Sequence, residues 1–141
     1  MTNVGVIGAG AIARRGHLPM WRRIPEATIS MIADQDPSLS QTVAKEFGIN
    51  RSTADYREIL RDPSIDVVDI CTPTPTHHQI ALESLDAGKH VLIEKPLTLS
   101  LKEALDILYK TREAGKKFCV AQNYRYIESV KRAKAVMGKA A

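Results

Sequence analysis

The chain of 141 residues is 44% hydrophobic and carries a formal net charge of +4 at pH 7, which is typical of one globular domain with its own core. Its apolar start is short and lacks the basic flank of a secretory signal, and no stretch is long enough to predict a membrane span, so we expect a cytoplasmic protein without membrane contact. The two cysteines, Cys71 and Cys119, stand far apart and are predicted to be free thiols, which excludes a disulfide framework.

The first predicted strand, Val4 to Ile7, leads directly into a glycine-rich turn. The turn occupies residues 8–13 and reads Gly-Ala-Gly-Ala-Ile-Ala, so a helix must begin inside it. Gly8 allows a tight turn, and Gly10 has no side chain to keep a pyrophosphate away from the backbone. The start of the helix offers N–H groups and the positive end of a dipole. These features predict a dinucleotide site that includes Gly8, Gly10, Ala11 and Ile12.

The helix that follows this turn is expected to be interrupted. Ala13 is small enough to let the helix pack closely on the first strand. Pro19 has no backbone N–H and cannot continue the helix without the loss of a hydrogen bond, and Gly16 lies nearby. We therefore predict a break between Gly16 and Pro19, with Trp21 beyond it as a packing residue.

An acidic residue closes the second predicted strand, Thr28 to Ala33. Asp34 follows the glycine turn by about 20 residues, the spacing at which such an acid binds the hydroxyls of the adenosine ribose. Its negative charge would repel a 2′-phosphate, and the next residues, Gln35 and Asp36, supply no arginine to hold one. The sequence therefore predicts NAD as the cofactor in preference to NADP.

Helices and strands alternate along the rest of the chain. This alternation predicts an α/β fold with a doubly wound Rossmann-type sheet, mostly parallel, and helices on both faces. Asp36 and Ser100 are expected to cap helices at their starts, and Gly48 and Gly115 to end them. The remaining predicted elements are a helix from Pro37 to Phe47, a short helix from Tyr56 to Leu60, a strand from Asp66 to Cys71, a helix from Thr74 to Gly88, a strand from His90 to Ile93, a helix from Ser100 to Gly115, a strand from Phe118 to Ala121 and a helix from Ile127 to Met137.

Polar and proline-rich loops follow three of these later strands. Ligands in open α/β sheets bind outside the carboxyl ends of the strands, so the three loops and the glycine turn are expected to converge on one crevice. The residues predicted to bind the cofactor from these loops are Thr72, Pro73, Thr74, His77, Glu94, Lys95, Gln122 and Asn123.

His77 and His78 stand side by side, which at first suggests a metal pair. Adjacent residues on a helix point in different directions, and the sequence offers no evident third or fourth ligand. We therefore predict no metal. His77 is expected to line the crevice and His78 to face solvent, whereas His17 and His90 belong to no motif and are interpreted as structural.

Together these motifs resemble the N-terminal domain of the family of glucose–fructose oxidoreductase, inositol dehydrogenase and MocA. The resemblance covers nearly the whole chain, and its most specific element is Glu94-Lys95-Pro96-Leu97. The other residues that carry it are the glycine turn at residues 8–13, Asp34, Thr72 to His77, and Asn123-Tyr124-Arg125. The resemblance implies an oxidoreductase of two domains that acts on sugars or polyols with NAD or NADP.

In this family the lysine that corresponds to Lys95 lies beside the nicotinamide and the substrate hydroxyl, which makes Lys95 the candidate catalytic residue. The like charge of the oxidised nicotinamide and partial burial both lower the pKa of such a lysine, toward the range that suits proton transfer. Glu94 is expected to counter the charge of Lys95 and to hold it in place. The resemblance also suggests a special turn here, and we predict a cis peptide bond between Lys95 and Pro96.

The resemblance also sets the expected domain organisation. Residues 1–125 are predicted to form the dinucleotide-binding domain, and residues 126–141 a helix that leads toward a substrate domain absent from this chain. The first hypothesis is thus the NAD-binding half of an oxidoreductase, which is not catalytic alone and meets a sugar or polyol only with the second domain. The alternative is a stand-alone, non-catalytic NAD-binding module that senses or presents the dinucleotide. A third interpretation, an unrelated α/β nucleotide-binding module, is disfavoured by the set of loops.

Positive charge and an apolar stripe meet in the last predicted helix. Residues 110–141 hold nine Lys or Arg against two acids, but few aromatic residues accompany them, so we predict a solvated helical face and no nucleic-acid partner. Ile127, Val130 and Val136 recur at near-helical spacing among these charges. An exposed apolar stripe favours association, and we predict a homodimer with residues 124–137 near the contact.

Overall fold

A computed structural model describes residues 1–138, so Lys139 and the two alanines after it lie outside the described part of the chain. The described residues form a six-stranded sheet with the order β3-β2-β1-β4-β5-β6, and every neighbouring pair of strands is parallel. The strands are β1 (Thr2–Ile7), β2 (Ala27–Ala33), β3 (Ser52–Thr53), β4 (Val67–Ile70), β5 (His90–Ile93) and β6 (Phe118–Val120). The helices are α1 (Leu18–Trp21), α2 (Pro37–Phe47), α3 (Arg57–Arg61), α4 (His77–Asp86), α5 (Leu101–Ala114) and α6 (Glu128–Met137).

The strand order reverses at β1, which pairs with β2 on one side and with β4 on the other. A crevice forms at such a reversal, because the connections from the two central strands leave in opposite directions. The predicted doubly wound Rossmann-type fold is thereby confirmed, with a sheet that is parallel throughout the described residues. β3 has only two residues and was absent from the predicted elements, because a strand this short carries no readable alternation.

Two apolar clusters lie on the two faces of the sheet. On one face, α3, α4 and α5 bury Ile59, Leu85 and Ile107 against strand residues of the sheet. On the other face, α1 and α2 contribute Leu18 and Val43. Side chains alternate along a strand, so a sheet covered on both faces needs apolar residues at nearly every strand position. The strands of this chain meet that requirement, and helices cover both faces as predicted.

Local signals fix the ends of the two longest helices. The Asp36 carboxylate accepts hydrogen bonds from the N–H groups of Ser38 and Leu39 at the start of α2. The Ser100 hydroxyl accepts from Glu103 N at the start of α5. Gly48 and Gly115 follow these helices with φ of 63° and 61°, in the left-handed region that favours glycine. These four predicted caps are confirmed.

The predicted break between Gly16 and Pro19 is wrong. The helix continues from residue 11 to residue 21 and passes through one π-helical turn, Ala13–His17. The N–H of Leu18 bonds to the carbonyl oxygen of Ala13, five residues back. Pro19 then stands in the α-helical turn directly after the π-turn, where it has no N–H to donate to the preceding turn. A π-turn absorbs the proline without a break, and such turns are frequent at functional sites.

The last helix, α6, lies apart from the sheet. It packs on the short turn Asn123–Tyr126, and its apolar residues Val130, Val136 and Met137 are exposed, as is Ile127 directly before it. The boundary at residue 125 and the contact of residues 124–137 with a second copy stay predictions. Among the helices of residues 1–138, none is long and apolar enough to cross a membrane.

Candidate functional site

The loops after the strands start side by side along the carboxyl edge of the sheet. In each case the first residue after a strand donates its N–H to the last carbonyl of the neighbouring strand. The bonds are Asp34 N to Thr53 O at 3.1 Å, Gly8 N to Ala33 O at 2.8 Å, Cys71 N to Ile7 O at 2.7 Å, Glu94 N to Ile70 O at 2.9 Å and Ala121 N to Ile93 O at 2.7 Å. The expected convergence of the loops on one edge therefore has a direct cause in the register of the parallel strands.

A cavity of about 750 Å³ opens at this edge, where the strand order reverses. This size is within the usual range for small-molecule sites. The cavity brings together the glycine turn, the end of β2, the loop after β3 and the loop after β4. Of the residues predicted to bind the cofactor, those that line it are Gly8, Gly10, Ala11, Ile12, Asp34, Thr72 and Pro73.

Gly8 and Gly10 lack a side chain for different structural reasons. Gly8 has a φ of +98°, and a Cβ built on it would lie 2.8 Å from the carbonyl carbon and oxygen of Cys71. A Cβ on Gly10 would meet no atom within 4 Å, although Gly10 lines the cavity. Gly8 is thus required by the fold itself. Gly10 keeps open a space that the rest of the protein does not fill.

The helix behind Gly10 presents its N-terminus to this space. Its first hydrogen bond runs from Arg14 N to Gly10 O at 3.1 Å, so the N–H groups of residues 11–13 precede the helical ladder. Ala13 is fully buried and seats the helix on β1. Unpaired N–H groups and the positive end of a helix dipole suit a phosphate group.

Asp34 holds the glycine turn and also faces the cavity. Its Oδ2 accepts a hydrogen bond from Ala9 N at 2.8 Å, and its Oδ1 accepts from Asp36 N at 3.0 Å. Each carboxylate oxygen can accept a second bond, so both remain able to receive a hydroxyl donor. The contact with Ala9 ties the end of β2 to the turn after β1.

Sequence reasoning missed Tyr56 and Arg57, which line the same cavity as Asp34. The Arg57 guanidinium lies over the Tyr56 ring at 4.8 Å, and the Tyr56 hydroxyl donates to Glu83 at 2.8 Å. Burial and the bond to Glu83 raise the pKa of Tyr56 to about 12, so its hydroxyl stays a donor. These residues follow β3, and the same brevity that hid this strand also hid the loop after it.

His77 has a different position from the one predicted. It is almost fully buried and is absent from the cavity lining. Its Nδ1 lies 3.0 Å from the carbonyl oxygen of Pro96, and its Nε2 lies 2.9 Å from that of Thr72. The ring therefore joins the loop after β4 to the loop after β5. His78 is half-buried rather than solvent-facing, and its Nε2 lies 3.3 Å from the Asp106 carboxylate.

The loop after β5 carries one buried and one exposed charge. Glu94 is 7% exposed, whereas the side chain of Lys95 is 62% exposed. Glu94 Oε2 accepts a hydrogen bond from Lys95 N at 2.9 Å and lies 3.9 Å from Lys95 Nζ. The Lys95–Pro96 peptide bond is cis, as predicted. Glu94, Lys95 and the half-buried Thr74 lie outside the lining of the cavity, and so do the exposed Gln122 and Asn123.

His17, interpreted above as structural, contacts two buried carboxylates. Its Nδ1 lies 2.9 Å from both oxygens of Asp69, and its Nε2 lies 3.0 Å from Glu94 Oε1. Trp21 Nε1 donates to Asp69 Oδ2 at 2.7 Å, so Trp21 also does more than pack. Burial lowers the pKa of His17, but the hydrogen bonds and charges of Asp69 and Glu94 outweigh it and raise the pKa to about 9.

Among the described residues, His17, Asp69 and Cys71 bring metal-ligating atoms within 4.8 Å of one another. Burial, followed by the charges of Asp69 and Glu94, raises the pKa of the Cys71 thiol, which opposes the thiolate form that metals bind. The His17 nitrogens are taken up by the two carboxylates. The arrangement is therefore that of a hydrogen-bonded charge cluster.

The cavity fits a dinucleotide by its own chemistry. It combines the open space at Gly10, the N-terminus of a helix and the carboxylate of Asp34 at the end of the next strand. These are the contacts that a pyrophosphate and a ribose require. A dinucleotide bound along this edge from β2 toward β5 would direct its far end to the loop that holds Lys95.

The chain resembles known oxidoreductases over almost its whole length. Levoglucosan dehydrogenase of Pseudarthrobacter phenanthrenivorans is 37% identical over 139 residues, which cover 94% of this chain and 36% of that protein. The crystal structure of an NAD binding oxidoreductase from Klebsiella pneumoniae superposes with a TM-score of 0.88 at 32% identity, over 98% of this chain and 39% of that one. KijD10, a 3-ketoreductase from Actinomadura kijaniata in complex with NADP, superposes with a TM-score of 0.90 at 27% identity, over 98% of this chain and 42% of that one.

The chain spans between 32% and 39% of the length of the first curated relatives that it matches. A family model described as an oxidoreductase family with an NAD-binding Rossmann fold matches residues 2–122, which contain the glycine turn, Asp34 and the Glu-Lys-Pro loop. The chain therefore belongs to the family of glucose–fructose oxidoreductase, inositol dehydrogenase and MocA, and it comprises the NAD-binding Rossmann domain of that family.

Proposed function

We propose that this chain is the NAD-binding half of an oxidoreductase that transfers a hydride between nicotinamide and a hydroxyl-bearing carbon of a sugar or polyol. The observation that carries the proposal is the cavity at the strand reversal, which joins Gly10, the start of a helix and Asp34. Relatives that support the substrate class include levoglucosan dehydrogenase and a scyllo-inositol 2-dehydrogenase of Bacillus subtilis. NAD, when bound, supplies the hydride acceptor, and the residues of this chain orient it and move the proton.

Lys95 is the proposed catalytic residue. Its side chain is exposed on the loop after β5, and its backbone N–H donates to the Glu94 carboxylate. Its ammonium group can exchange a proton with a substrate hydroxyl while the hydride moves. The substrate itself must be positioned and shielded from water by a second domain, so we propose that this chain alone does not turn over.

We propose that the cofactor is NAD rather than NADP. The Asp34 carboxylate faces the cavity and would repel a 2′-phosphate. Arg57 lies in the same lining and offers a cation, but two carboxylates engage it, with Nε 3.5 Å from Glu83 Oε2 and Nη1 3.7 Å from Asp55 Oδ1. Among solved relatives, a levoglucosan dehydrogenase is in complex with NADH and KijD10 with NADP, so the argument for NAD over NADP depends on residues of this chain.

We also propose a cytoplasmic location, with which the free thiols Cys71 and Cys119 are consistent.

Calorimetric titration of the chain with NADH and NADPH tests this proposal. We expect NADH to bind at least about tenfold more tightly, because the Asp34 charge costs NADPH more than about 1.4 kcal/mol. In the same preparation we expect no reduction of NAD⁺ with sugars or polyols. A chain that binds neither dinucleotide would contradict the function. NADH binding by a full-length enzyme without any dehydrogenase activity would instead favour the stand-alone NAD-binding module.

A double variant provides the control for the cofactor preference. Asp34→Ala removes the repelling charge, and Gln35→Arg adds a guanidinium at the next position, which also lines the cavity. The difference in affinity between NADH and NADPH should become smaller or change sign in this double variant. Asp36→Ala is the matched control, because Asp36 caps α2 and lies outside the cavity lining, so it should lower stability without changing the preference.

We also propose that the chain forms a homodimer through residues 124–137. The support is the exposure of Ile127, Val130, Val136 and Met137, which form an apolar stripe on a helix that lies apart from the sheet. Light scattering over a wide concentration range should give the mass of a dimer that dissociates on dilution. Val130→Lys, at the centre of the stripe, should shift this equilibrium toward the monomer. A wild-type chain that stays monomeric at all concentrations would refute the proposal.

A further inference from the structure

Three charged groups that are far apart in sequence meet beneath the loop that carries Lys95. Asp69 is fully buried near the end of β4, and Glu94 is buried directly after β5. His17 comes from the π-turn of the first helix and lies between them, with one ring nitrogen toward each carboxylate. The ring bridges two neighbouring strand ends that would otherwise present two like charges to each other.

Every polar side-chain atom of His17, Asp69 and Glu94 has a partner, either within the cluster or in a neighbouring residue. Trp21 Nε1 and the Cys71 thiol donate to Asp69, and His17 Nδ1 lies 2.9 Å from both Asp69 oxygens. Glu94 uses its Oε1 for His17 and its Oε2 for Lys95 N. A buried carboxylate is tolerated only when it is paired and hydrogen-bonded. The Glu94 side chain therefore has one orientation, and the His17 ring sets it.

We propose that His17, supported by Asp69 and Trp21, is a positioning residue that holds Glu94 in place and thereby fixes the backbone of Lys95 on the loop after β5. The catalytic meaning of this position rests on the function proposed above. His17 lies outside the lining of the cavity and acts through Glu94.

The geometry transmits the position of His17 to Lys95 through one side chain. The imidazole Nε2 lies 3.0 Å from one oxygen of Glu94, and the other oxygen accepts the Lys95 N–H at 2.9 Å and lies 3.9 Å from Nζ. His77 holds the same loop from its other end through the carbonyl of Pro96. Two histidines from two different helical segments therefore clamp a short loop on which the proposed catalytic lysine is exposed.

The π-turn sets the directions in which the side chains of His17 and Trp21 leave the helix. An extra residue in one helical turn shifts the angle at which the following side chains leave the helix. The turn ends at His17, and Trp21 lies four residues later on the same side of the helix. Both side chains reach Asp69 from this helix, so the irregular turn aims them at the carboxyl ends of β4 and β5.

Hydrogen exchange of backbone amides, followed by NMR in the chain without ligand, tests the positioning role. In His17→Gln we expect the Lys95 amide to exchange about tenfold faster or more, because its bond to the charged Glu94 oxygen is lost. Amides in the interior of β5 should change little. Glu94→Gln should reproduce the effect at Lys95, and His90→Gln is the matched control, since His90 lies at the opposite end of β5 and bonds to Lys117 N.

The outcomes separate positioning from a general structural role. An unchanged Lys95 amide in His17→Gln, or an equal acceleration across the whole sheet, would overturn the proposal. Should His17→Gln fail to fold, the wild-type chain decides the question: two slowly exchanging ring N–H protons of His17 at pH 7.5 are expected, and the absence of either would overturn the bridge. Since no dinucleotide is present, a failure of NADH binding would count against the proposed function and leave this result intact.

Discussion

Replacement of Gly10 by valine is expected to weaken NADH binding about 100-fold or more while the domain stays folded. A Cβ at this position would meet no atom within 4 Å, and its φ lies outside the left-handed region, so we expect the domain to accept a side chain here. It would occupy the space in front of the helix N-terminus where the pyrophosphate is expected. Calorimetry gives the affinity, and urea unfolding should show a free energy of unfolding within about 0.5 kcal/mol of wild type.

Gly8→Ala is the matched partner of the Gly10→Val variant, and we expect it to lower the stability of the fold. Its φ of +98° and the 2.8 Å approach of a Cβ to the Cys71 backbone leave no room for a side chain. Strain and overlap together are expected to cost about 3 kcal/mol or more of stability. Tight NADH binding by Gly10→Val would place the pyrophosphate elsewhere, and an unchanged unfolding free energy for Gly8→Ala would contradict the described turn.

The free energy of unfolding is expected to fall by about 3 kcal/mol between about pH 6.5 and pH 9 through His17 alone. Burial opposes the charged ring, but Asp69 and Glu94 raise the pKa of His17 from 6.5 to about 9. Below pH 6.5 both the folded and the unfolded chain hold the proton, and the stabilisation is fully present. Between the two values only the folded chain holds it, so stability decreases as pH rises and is lost above about pH 9.

Urea unfolding at a series of pH values measures this slope. The His17→Gln variant should be less stable than wild type at pH 6, and its free energy of unfolding should not show the decrease between about pH 6.5 and pH 9. The difference between the two proteins therefore gives the contribution of His17. His90→Gln should keep the wild-type slope. Parallel curves for wild type and His17→Gln would show that folding does not raise the pKa of His17 and that the carboxylates do not hold its proton.

Much of the fold follows from short stretches of sequence. The glycine turn, the cap at Asp36, the capping serine at Ser100 and the helix ends at Gly48 and Gly115 each depend on a few consecutive residues, because hydrogen bonds to neighbouring backbone and the left-handed conformation are local properties. The alternation of apolar strands and amphipathic helices is also local, and it identified the doubly wound sheet. For the same reason the two-residue strand β3 escaped prediction, together with Tyr56 and Arg57 in the loop that follows it.

The sequence predicted those site residues whose position follows from their place in a loop after a strand. Gly10, Asp34 and Thr72 line the cavity because each follows the end of a strand within three residues, and the register of a parallel sheet aligns those strand ends. His77 follows such a loop as the first residue of α4, but the direction of its ring toward two backbone carbonyls depends on how the loop after β5 packs against it. A residue's place in a loop is a sequence property, whereas the direction of its side chain is a property of the packed structure.

By itself the sequence determined the family, the alternation of elements and the residues that surround a dinucleotide, because these depend on motifs with short spacing. Only the tertiary structure decided that the first helix continues through a π-turn and that His17 joins Asp69 and Glu94, which follow it by 52 and 77 residues. No local pattern specifies such a bridge. It exists because β4 and β5 are neighbours in the sheet and the helix crosses their ends, so that burial pairs the ring with both carboxylates.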